Sequence, residues 1–445
     1  MYPTLKQLNW PQIEAEILAF WEQESVFQQS VDQRNGAPSF TFFEGPPSAN
    51  GMPGIHHVMA RAIKDIFCRF KTQQGFQVAR KGGWDTHGLP IELQVEKRLG
   101  IKKEDIGTKI SMEDYNKECR ADVLMFKDRW DDLTRQIGYW VDLDHPYVTY
   151  ENNYIESLWH LLKQLYDKGY LYKGYTIQPF SPAAGTGLSS HELNQPGTYQ
   201  NVKDTTIVAQ FQVQGTENEY FLAWTTTPWT LPSNTALAVG KDIDYDQIET
   251  FNPYTGIKIK VTLASALVGK YFSAEGAEAP LENYTPQQKI LPWRKLNTQK
   301  GSDLEGACYI QLLPYAQPEE GDAFRVIIGD FVSTEDGTGI VHIAPSFGAD
   351  DFKTARENGI GTLTLVDKKG KFLDCVTDFA GEYVKEAYLS DEEKAAETQK
   401  QGRDKYLGVD ERISIKLKQE NKAFKVEKYE HTYPHCWRTD KPILY

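Results

Sequence analysis

Cysteine is scarce in this 445-residue sequence: there are five, Cys68, Cys119, Cys308, Cys375 and Cys436. The number is odd and no two lie close enough to suggest a disulfide framework. That argues against a small stapled secreted domain and points to a reducing, cytoplasmic setting. Long apolar runs are missing too; nothing approaches the roughly 20 residues of a membrane-spanning helix. The opening residues, MYPTLKQLNW, have neither the basic start nor the apolar stretch of a signal peptide, so none is expected. Positive charge is in deficit: 49 Lys and Arg against 62 Asp and Glu leave a net charge of −13. This argues against nonspecific nucleic-acid binding through bulk charge, although it leaves room for a local basic groove. The sequence shows no internal repeat and no low-complexity segment. What it does have is an ordinary folded balance, 40% hydrophobic and 25% charged, with 10 Trp, 24 Tyr and 21 Phe to fill large cores. At roughly 100–200 residues per domain, the length suits about two to four domains.

Along the chain, Pro11 to Gln23 places Ile13, Ile17, Leu18 and Trp21 on one helical face. Ser39 to Phe43 (SFTFF) reads as a buried strand, followed by the turn-rich Glu44 to Gly54. A helix is expected from about His57 to Gln74, with Ile63, Ile66, Phe67 and Phe70 as its apolar face and Gly75 as its stop. Phe76 to Arg80 reads as the next strand. Strand, glycine-bearing loop, helix and strand make a βαβ unit, which implies a parallel sheet. Residues 100–175 read mainly helical. Near residue 180 a breaker cluster, PFSPAAGTG, changes the character, and from Thr205 strands dominate: TTIVAQFQV, EYFLAWTT, ALAV, IKIKVTLA, FRVIIG and GIVHIA. Ser390 to Arg403 is charged and helix-prone, and reads as a solvated connector.

Two loops carry candidate chemistry. In EGPPSANGMPGIHH, turn formers lead into a helix that begins with His56 and His57. Backbone amides and the macrodipole at such a helix start favour an anion, and two imidazoles there suit a phosphate during nucleotidyl transfer. A histidine pair alone is more often surface decoration; the ordered context raises the functional reading. In GGWDTHGLPIE, at the carboxyl end of the next strand, Asp85 is placed to meet a ligand ammonium. Taken alone, Asp85 as readily caps the following helix.

Together, FFEGPPSANGMPGIHH and GGWDTHGLPIE resemble class I aminoacyl-tRNA synthetases of the isoleucine/valine/leucine group. WTTTPWTLPSN (Trp224 to Asn234) and GTGIVHIAPSFGADDF (Gly337 to Phe352) resemble that group's editing domain, so the resemblance spans essentially the whole chain. The FEGPPSANG form and GGWDTHGLPIE are similar to the isoleucine-specific members. The resemblance implies an α/β fold. Residues 1–180 would be an N-terminal extension and the first half of a Rossmann-type nucleotide-binding domain, 181–395 an inserted β-rich editing domain, and 396–445 a return segment toward the second half. It implies ATP-dependent activation of isoleucine and its transfer to tRNA(Ile), with hydrolysis of misactivated valine and Val-tRNA(Ile). The editing step has a physical reason: one methylene is worth only about 1–3 kcal/mol in an apolar pocket, isoleucine against valine being the standard illustration of that limit. ATP with Mg2+, isoleucine and tRNA(Ile) are the implied substrates and partners, with no membrane and a monomeric state.

Residue by residue, the resemblance gives Gly45 and Pro46 to the isoleucine pocket and Asp85 to its amino group. Asn50, Gly51, Gly54 and His57 form the nucleotide-binding loop, and His56 and His57 serve the phosphates. In the editing block Thr225, Thr226 and Thr227 surround the tRNA 3′ end, Asn234 supports them, His342 limits the side chain admitted and Asp351 anchors the ammonium. The bland alternatives are a plain strand for the threonines and a helix cap for Asp350 and Asp351.

The sequence departs from the family in three places. The H-x-G-H signature reads Gly54-Ile55-His56-His57, so the first His and the Gly have changed places; His56 is expected to take over the missing histidine's phosphate role. The positions of two Cys-x-x-Cys pairs that often hold zinc read Ser181, Ala184, Cys436 and Thr439, so no structural zinc is expected. No KMSKS-type loop occurs, and the chain is expected to be truncated before it. Three other readings stay open: a valine-specific synthetase, a stand-alone editing deacylase, and a non-catalytic tRNA-binding fragment.

Overall fold

Proline in the first helical turn, where its missing N–H costs nothing, opens α1 (Trp10–Gln23), and α2 (Val26–Asp32) follows. The computed structural model describes residues 8–445 except 43, 46, 283 and 287. It divides into two compact units, Met1–Gly174 and Tyr175–Tyr445. Among the described residues no helix is long and apolar enough to cross a membrane.

In the first unit α3 (Ile55–Gln73) follows the turn-rich loop and stops at Gly75, whose φ of 93° needs glycine. Then come β1 (Lys81–Trp84), α4 (Leu89–Leu99), α5 (Met112–Val123), α6 (Lys127–Gln136), β2 (Asp142–Val148) and α7 (Asn152–Asp167). Strands β1 and β2 pair in parallel, Gly83 opposite Tyr147. A Cβ at Gly83 would stand 2.3 Å from the Tyr147 ring, so the glycine is what lets that ring lie across the strand. Ile91 and Val95 of α4 pack with Tyr115 and Val123 of α5, while Ala49, Trp84 and Trp130 form a second small core beneath the loop.

Three expectations change here. The strand predicted over 39–43 is a single parallel bridge, Ser39 to Gln77, with Phe43 outside the described residues. The next strand starts at Lys81 instead of Phe76, where β2 becomes available as a partner; Arg80, just before it, is buried in an ion pair with Asp65 at 2.7 Å. The apolar stripe of α3 is turned outward: Ile63, Ile66, Phe67 and Phe70 are 53–65% exposed, and the helix buries Arg61, Cys68 and Thr72 instead. The same holds in part for α1, where Ile17 is exposed and Trp21 rests edge-on against Trp140 at 5.3 Å.

The second unit opens with a short hairpin, β3 (Phe180–Ser181) and β4 (Thr186–Gly187), and a one-turn helix α8 (Ser190–Leu193). Nine strands then build one sheet: β5 (Tyr199–Gln212), β6 (Glu219–Thr225), β7 (Ala236–Val239), β8 (Asp244–Phe251), β9 (Lys258–Ala264), β10 (Arg294–Lys300), β11 (Arg325–Ile328), β12 (Ile340–Ile343) and β13 (Ala423–Pro434). Helices α9 (Val268–Tyr271), α10 (Ala274–Glu278), α11 (Gly301–Leu304), α12 (Ala349–Glu357), α13 (Asp391–Lys400) and α14 (Val409–Gln419) lie between strands. The strand order is β10-β8-β9-β6-β12-β7-β11, with β5 on the other edge of β6 and β13 beyond it. One edge of β6 is shared, β9 pairing with Glu219–Phe221 and β12 with Trp224.

Both faces of the sheet's central strands are covered, which is why those strands read as continuous apolar runs rather than alternating ones. Ile207, Phe211, Phe221, Leu237 and Tyr245 face a core that includes Ile413 and Leu417 of α14. Val208, Leu222, Ile248, Val261 and Phe424 pack on the opposite side with Phe272. Residues 396–445 are part of this unit: α14 closes one core and β13 pairs with β5 along eleven register positions.

Candidate functional site

Each unit carries one constellation. In the first, Gly45, Asn50, Gly51 and His57 line a cavity of about 410 Å³ together with Glu44, Pro47, Arg61 and Trp130. Pro46 lies outside the described residues. Far-apart residues hold the loop: Trp130 Nε1 donates to Gly51 O at 2.8 Å, and Asn50 Nδ2 donates to Gln94 Oε1 at 3.1 Å. Glu44 accepts from Tyr139 OH at 2.6 Å and pairs with Lys64 at 2.5 Å, while the Tyr147 OH donates to its backbone carbonyl at 2.9 Å. Among the described residues, Nε and Nη1 of buried Arg61 meet no hydrogen-bond partner; its guanidinium lies 4.8 Å over the Trp130 ring.

The exchanged signature is self-consistent. Gly54 is the N-cap of α3, and its N–H donates to His57 Nδ1 at 2.9 Å. A Cβ at position 54 would stand 3.0 Å from His56 Cε1, so the glycine makes room for the ring that has moved to position 56. His56 is exposed, its ring tilted 45° to that of His57 with the centroids 3.7 Å apart; His57, and not His56, lines the cavity. Burial, then the neighbouring His56 and Arg61, push the His57 pKa down, which favours the neutral imidazole. Asp85 is tied to the loop through its backbone N–H, which donates to Pro47 O at 3.0 Å. Its carboxylate accepts from His87 N–H at 3.4 Å and is not among the groups lining the cavity.

In the second unit β6 runs into the threonine run and a 3-10 turn, Pro228–Ser233, while antiparallel β12 and β7 set His342 opposite Leu237. A connected polar chain results. Tyr309 OH donates to Asn234 Oδ1 at 2.6 Å, and Asn234 Nδ2 donates to Ala236 O at 2.9 Å and faces His342 Nδ1 at 3.4 Å. His342 Nε2 lies 3.0 Å from Thr230 Oγ1, which donates to Thr227 O at 2.8 Å. With Thr230's proton committed to that carbonyl, His342 Nε2 is the donor, and its Nδ1 accepts from Asn234. Thr225 Oγ1 accepts from Thr227 N–H at 3.1 Å. Burial lowers the His342 pKa to about 4, so the ring is neutral at physiological pH.

Asp351, in the first turn of α12, accepts from Ala344 N–H at 2.9 Å, two residues beyond His342. Burial raises its pKa to about 6, Asp350 adding to the rise. Trp229 packs edge-on against Phe347 at 4.9 Å, joining the turn to the segment before α12. Thus Thr225, Thr227, Asn234 and His342 are brought into one chain of contacts, and Asp351 is joined to its end through the backbone. Thr226 is half-buried beside them and takes no part in these bonds. Sequence reasoning missed Thr230, Tyr309 and Trp130. Thr230 stood inside the quoted WTTTPWTLPSN motif; the other two are brought in by the fold from remote positions.

The four positions matching the family's zinc ligands do converge. Buried Cys436 has Ser181 and Thr439 beside it, and Ala184 N–H donates to Ser181 Oγ at 3.2 Å. Burial alone would raise the thiol pKa, but those neighbours leave it below its usual value. One thiol among hydroxyls and a methyl is not a donor set for zinc. Among the described residues no cluster of three His, Cys, Asp or Glu could hold a metal ion, and all five cysteines are free.

The model of the family described as tRNA synthetases class I (I, L, M and V) matches residues 16–433. The chain is 64% identical to the isoleucine–tRNA ligase of Cytophaga hutchinsonii, covering 99% of this chain and 41% of that protein. It is 54% identical to the isoleucine–tRNA ligase of Bacteroides fragilis, covering 99% and 40%, and 42% identical to that of Clostridium tetani, covering 98% and 38%. The chain thus spans about 40% of the length of these curated relatives. With the family matched over nearly its whole length, this α/β chain belongs to the class I tRNA synthetases of the isoleucine, leucine, methionine and valine group.

Proposed function

We propose that this chain serves an isoleucine–tRNA ligase: activation of isoleucine with ATP and Mg2+, transfer to tRNA(Ile), and hydrolysis of valine attached in error. Support comes from relatives carrying that name at 42–64% identity. In the first unit the loop of Gly45, Asn50, Gly51 and Gly54 would take isoleucine and nucleotide, with Pro46 beside it and Asp85 receiving the amino group. His57, with the His56 ring tilted against it, would serve the phosphates; its lowered pKa favours a hydrogen bond from the neutral ring over a full charge. Mg2+ would be carried in with the ATP phosphates. A cytoplasmic monomer is the setting this reading expects.

The observation that carries the hydrolytic part is the buried chain from Tyr309 through Asn234 and His342 to Thr230. It fixes a neutral imidazole in one tautomer at the end of the threonine run. A rigid, buried ring of that kind sets the size of the side chain admitted. Asp351, ionised above about pH 6, would pair with the free ammonium of the valyl group, and Thr225, Thr226 and Thr227 would hold the tRNA 3′ end. The test is deacylation by this 445-residue chain of Val-tRNA(Ile) against Ile-tRNA(Ile). Release of valine with isoleucine left in place is expected. Equal hydrolysis of both, or of neither, would refute the reading.

A further inference from the structure

The turn Pro228–Ser233 follows directly on the threonine run and carries Thr230, the hydroxyl that meets His342. A 3-10 turn of six residues with prolines at 228 and 232 has few backbone bonds of its own to fix it, since proline donates none. One of its free donors is taken from far away in sequence: Trp229 N–H donates to Asp410 Oδ1 at 2.8 Å.

Asp410 is itself held on several sides. It stands in the first turn of α14, where the helix start favours a negative charge. Its Oδ2 lies 3.6 Å from Lys385 Nζ, which also reaches Asp204 of β5 at 3.0 Å and sits 4.8 Å over the Tyr433 ring of β13. Lys385 and Asp410 are both largely buried. A buried ion pair of this kind is poor evidence for added stability, because desolvation offsets the attraction, and its best-attested use is to specify one arrangement. Here the arrangement specified is the direction of Oδ1, toward the backbone of the turn.

We infer that Asp410 is a positioning residue for hydrolysis at the His342 site: by accepting the Trp229 N–H it fixes the turn that holds Thr230 against His342 and Thr227. The inference rests on the hydrolytic reading above. It requires an acceptor at the position of Oδ1, whereas the charge serves only to aim it.

Two substitutions separate those terms. Asp410→Asn keeps an acceptor at the same reach and loses the charge; Asp410→Glu keeps the charge and displaces the acceptor by one methylene. Single-turnover deacylation of Val-tRNA(Ile) by the full 445-residue chain, with enzyme in excess, gives a limiting rate and a half-saturating concentration for each. The limiting rate of Asp410→Glu is expected to fall at least tenfold, with half-saturation within about twofold and the melting temperature kept. Asp410→Asn should stay within about threefold of the parent. The reverse order, Glu fast and Asn slow, would overturn the inference, as would parent rates in both or losses that merely follow thermal stability. An inactive parent chain would instead refute the hydrolytic reading itself, and this inference with it.

Discussion

Replacing Tyr309 by phenylalanine removes one oxygen from the core of the second unit and nothing else. The ring is 3% exposed and sits edge-on to Phe211 at 5.4 Å and Phe324 at 6.1 Å, contacts that phenylalanine keeps. No cavity the size of a side chain is created, so the cost is polar. Asn234 Oδ1 loses the donor that stood 2.6 Å away and is left in a buried site. An orphaned buried acceptor costs about 1–3 kcal/mol. For a unit this large that corresponds to a melting temperature lower by about 2–4 °C per kcal/mol. Asn234 also orients His342, so part of the loss should appear as hydrolytic rate, about tenfold for each 1.4 kcal/mol. The assay pairs a thermal melt with Val-tRNA(Ile) deacylation at saturating enzyme. A Tyr309→Phe chain as stable and as fast as the parent would refute the claim that this hydroxyl anchors the chain of bonds running to Thr230.

Asp351→Asn should give a more stable chain that no longer deacylates Val-tRNA(Ile). The carboxyl's pKa is raised in the folded state, so the folded state binds the extra proton between about pH 4 and 6, and stability falls as pH rises through that window. Above it the ionised carboxylate costs at most about 3 kcal/mol, which asparagine removes. A melt at pH 8 in which Asp351→Asn is less stable than the parent would contradict this sign. Of the two substitutions that restore the usual signature order, Gly54→His alone crowds the exposed His56 ring and is expected to lower the melting temperature, and adding His56→Gly relieves that contact. The double-mutant cycle on melting temperature checks the coupling, and simple additivity would refute it.

Most central strands of the second unit were legible because they are buried on both faces; β8, reading DYDQIETF, was missed although mostly buried, its polar residues breaking the apolar run. ALAV became Ala236–Val239 residue for residue, and TTIVAQFQV, EYFLAWTT, IKIKVTLA, FRVIIG and GIVHIA each lie on an observed strand. Half-exposed strands left weaker marks: β10 reads RKLNTQK and β13 reads AFKVEKYEHTYP, both rich in charge. Helix limits were legible from proline and glycine. Which face of α3 turns inward was not, since amphipathicity records where an apolar stripe lies and not what covers it. At the sites, the motif residues supplied the polar atoms that face one another. The residues holding them, Trp130, Tyr139 and Tyr147 around the first loop and Tyr309 and Asp410 around the second, arrive from distant segments and carry no local signal.

The pairing of β5 with β13 has a consequence for synthesis. Ala209 waits for Ala423, and Phe180 for Leu444, more than 200 residues later. At about 5–20 residues per second, translation leaves one edge of β5 without its neighbour for about 10–40 s. That edge includes Ile207, Val208 and Ala209, apolar and fully extended, which is the kind of segment that recruits a strand from another chain. The charges of β13 then do double duty. While the strand is free its lysines and glutamates keep it soluble, and once paired they leave a polar outer margin. The nascent second unit therefore stays exposed to aggregation until its own sheet is complete, and the segment that ends the exposure is the last of that sheet's nine strands in sequence order.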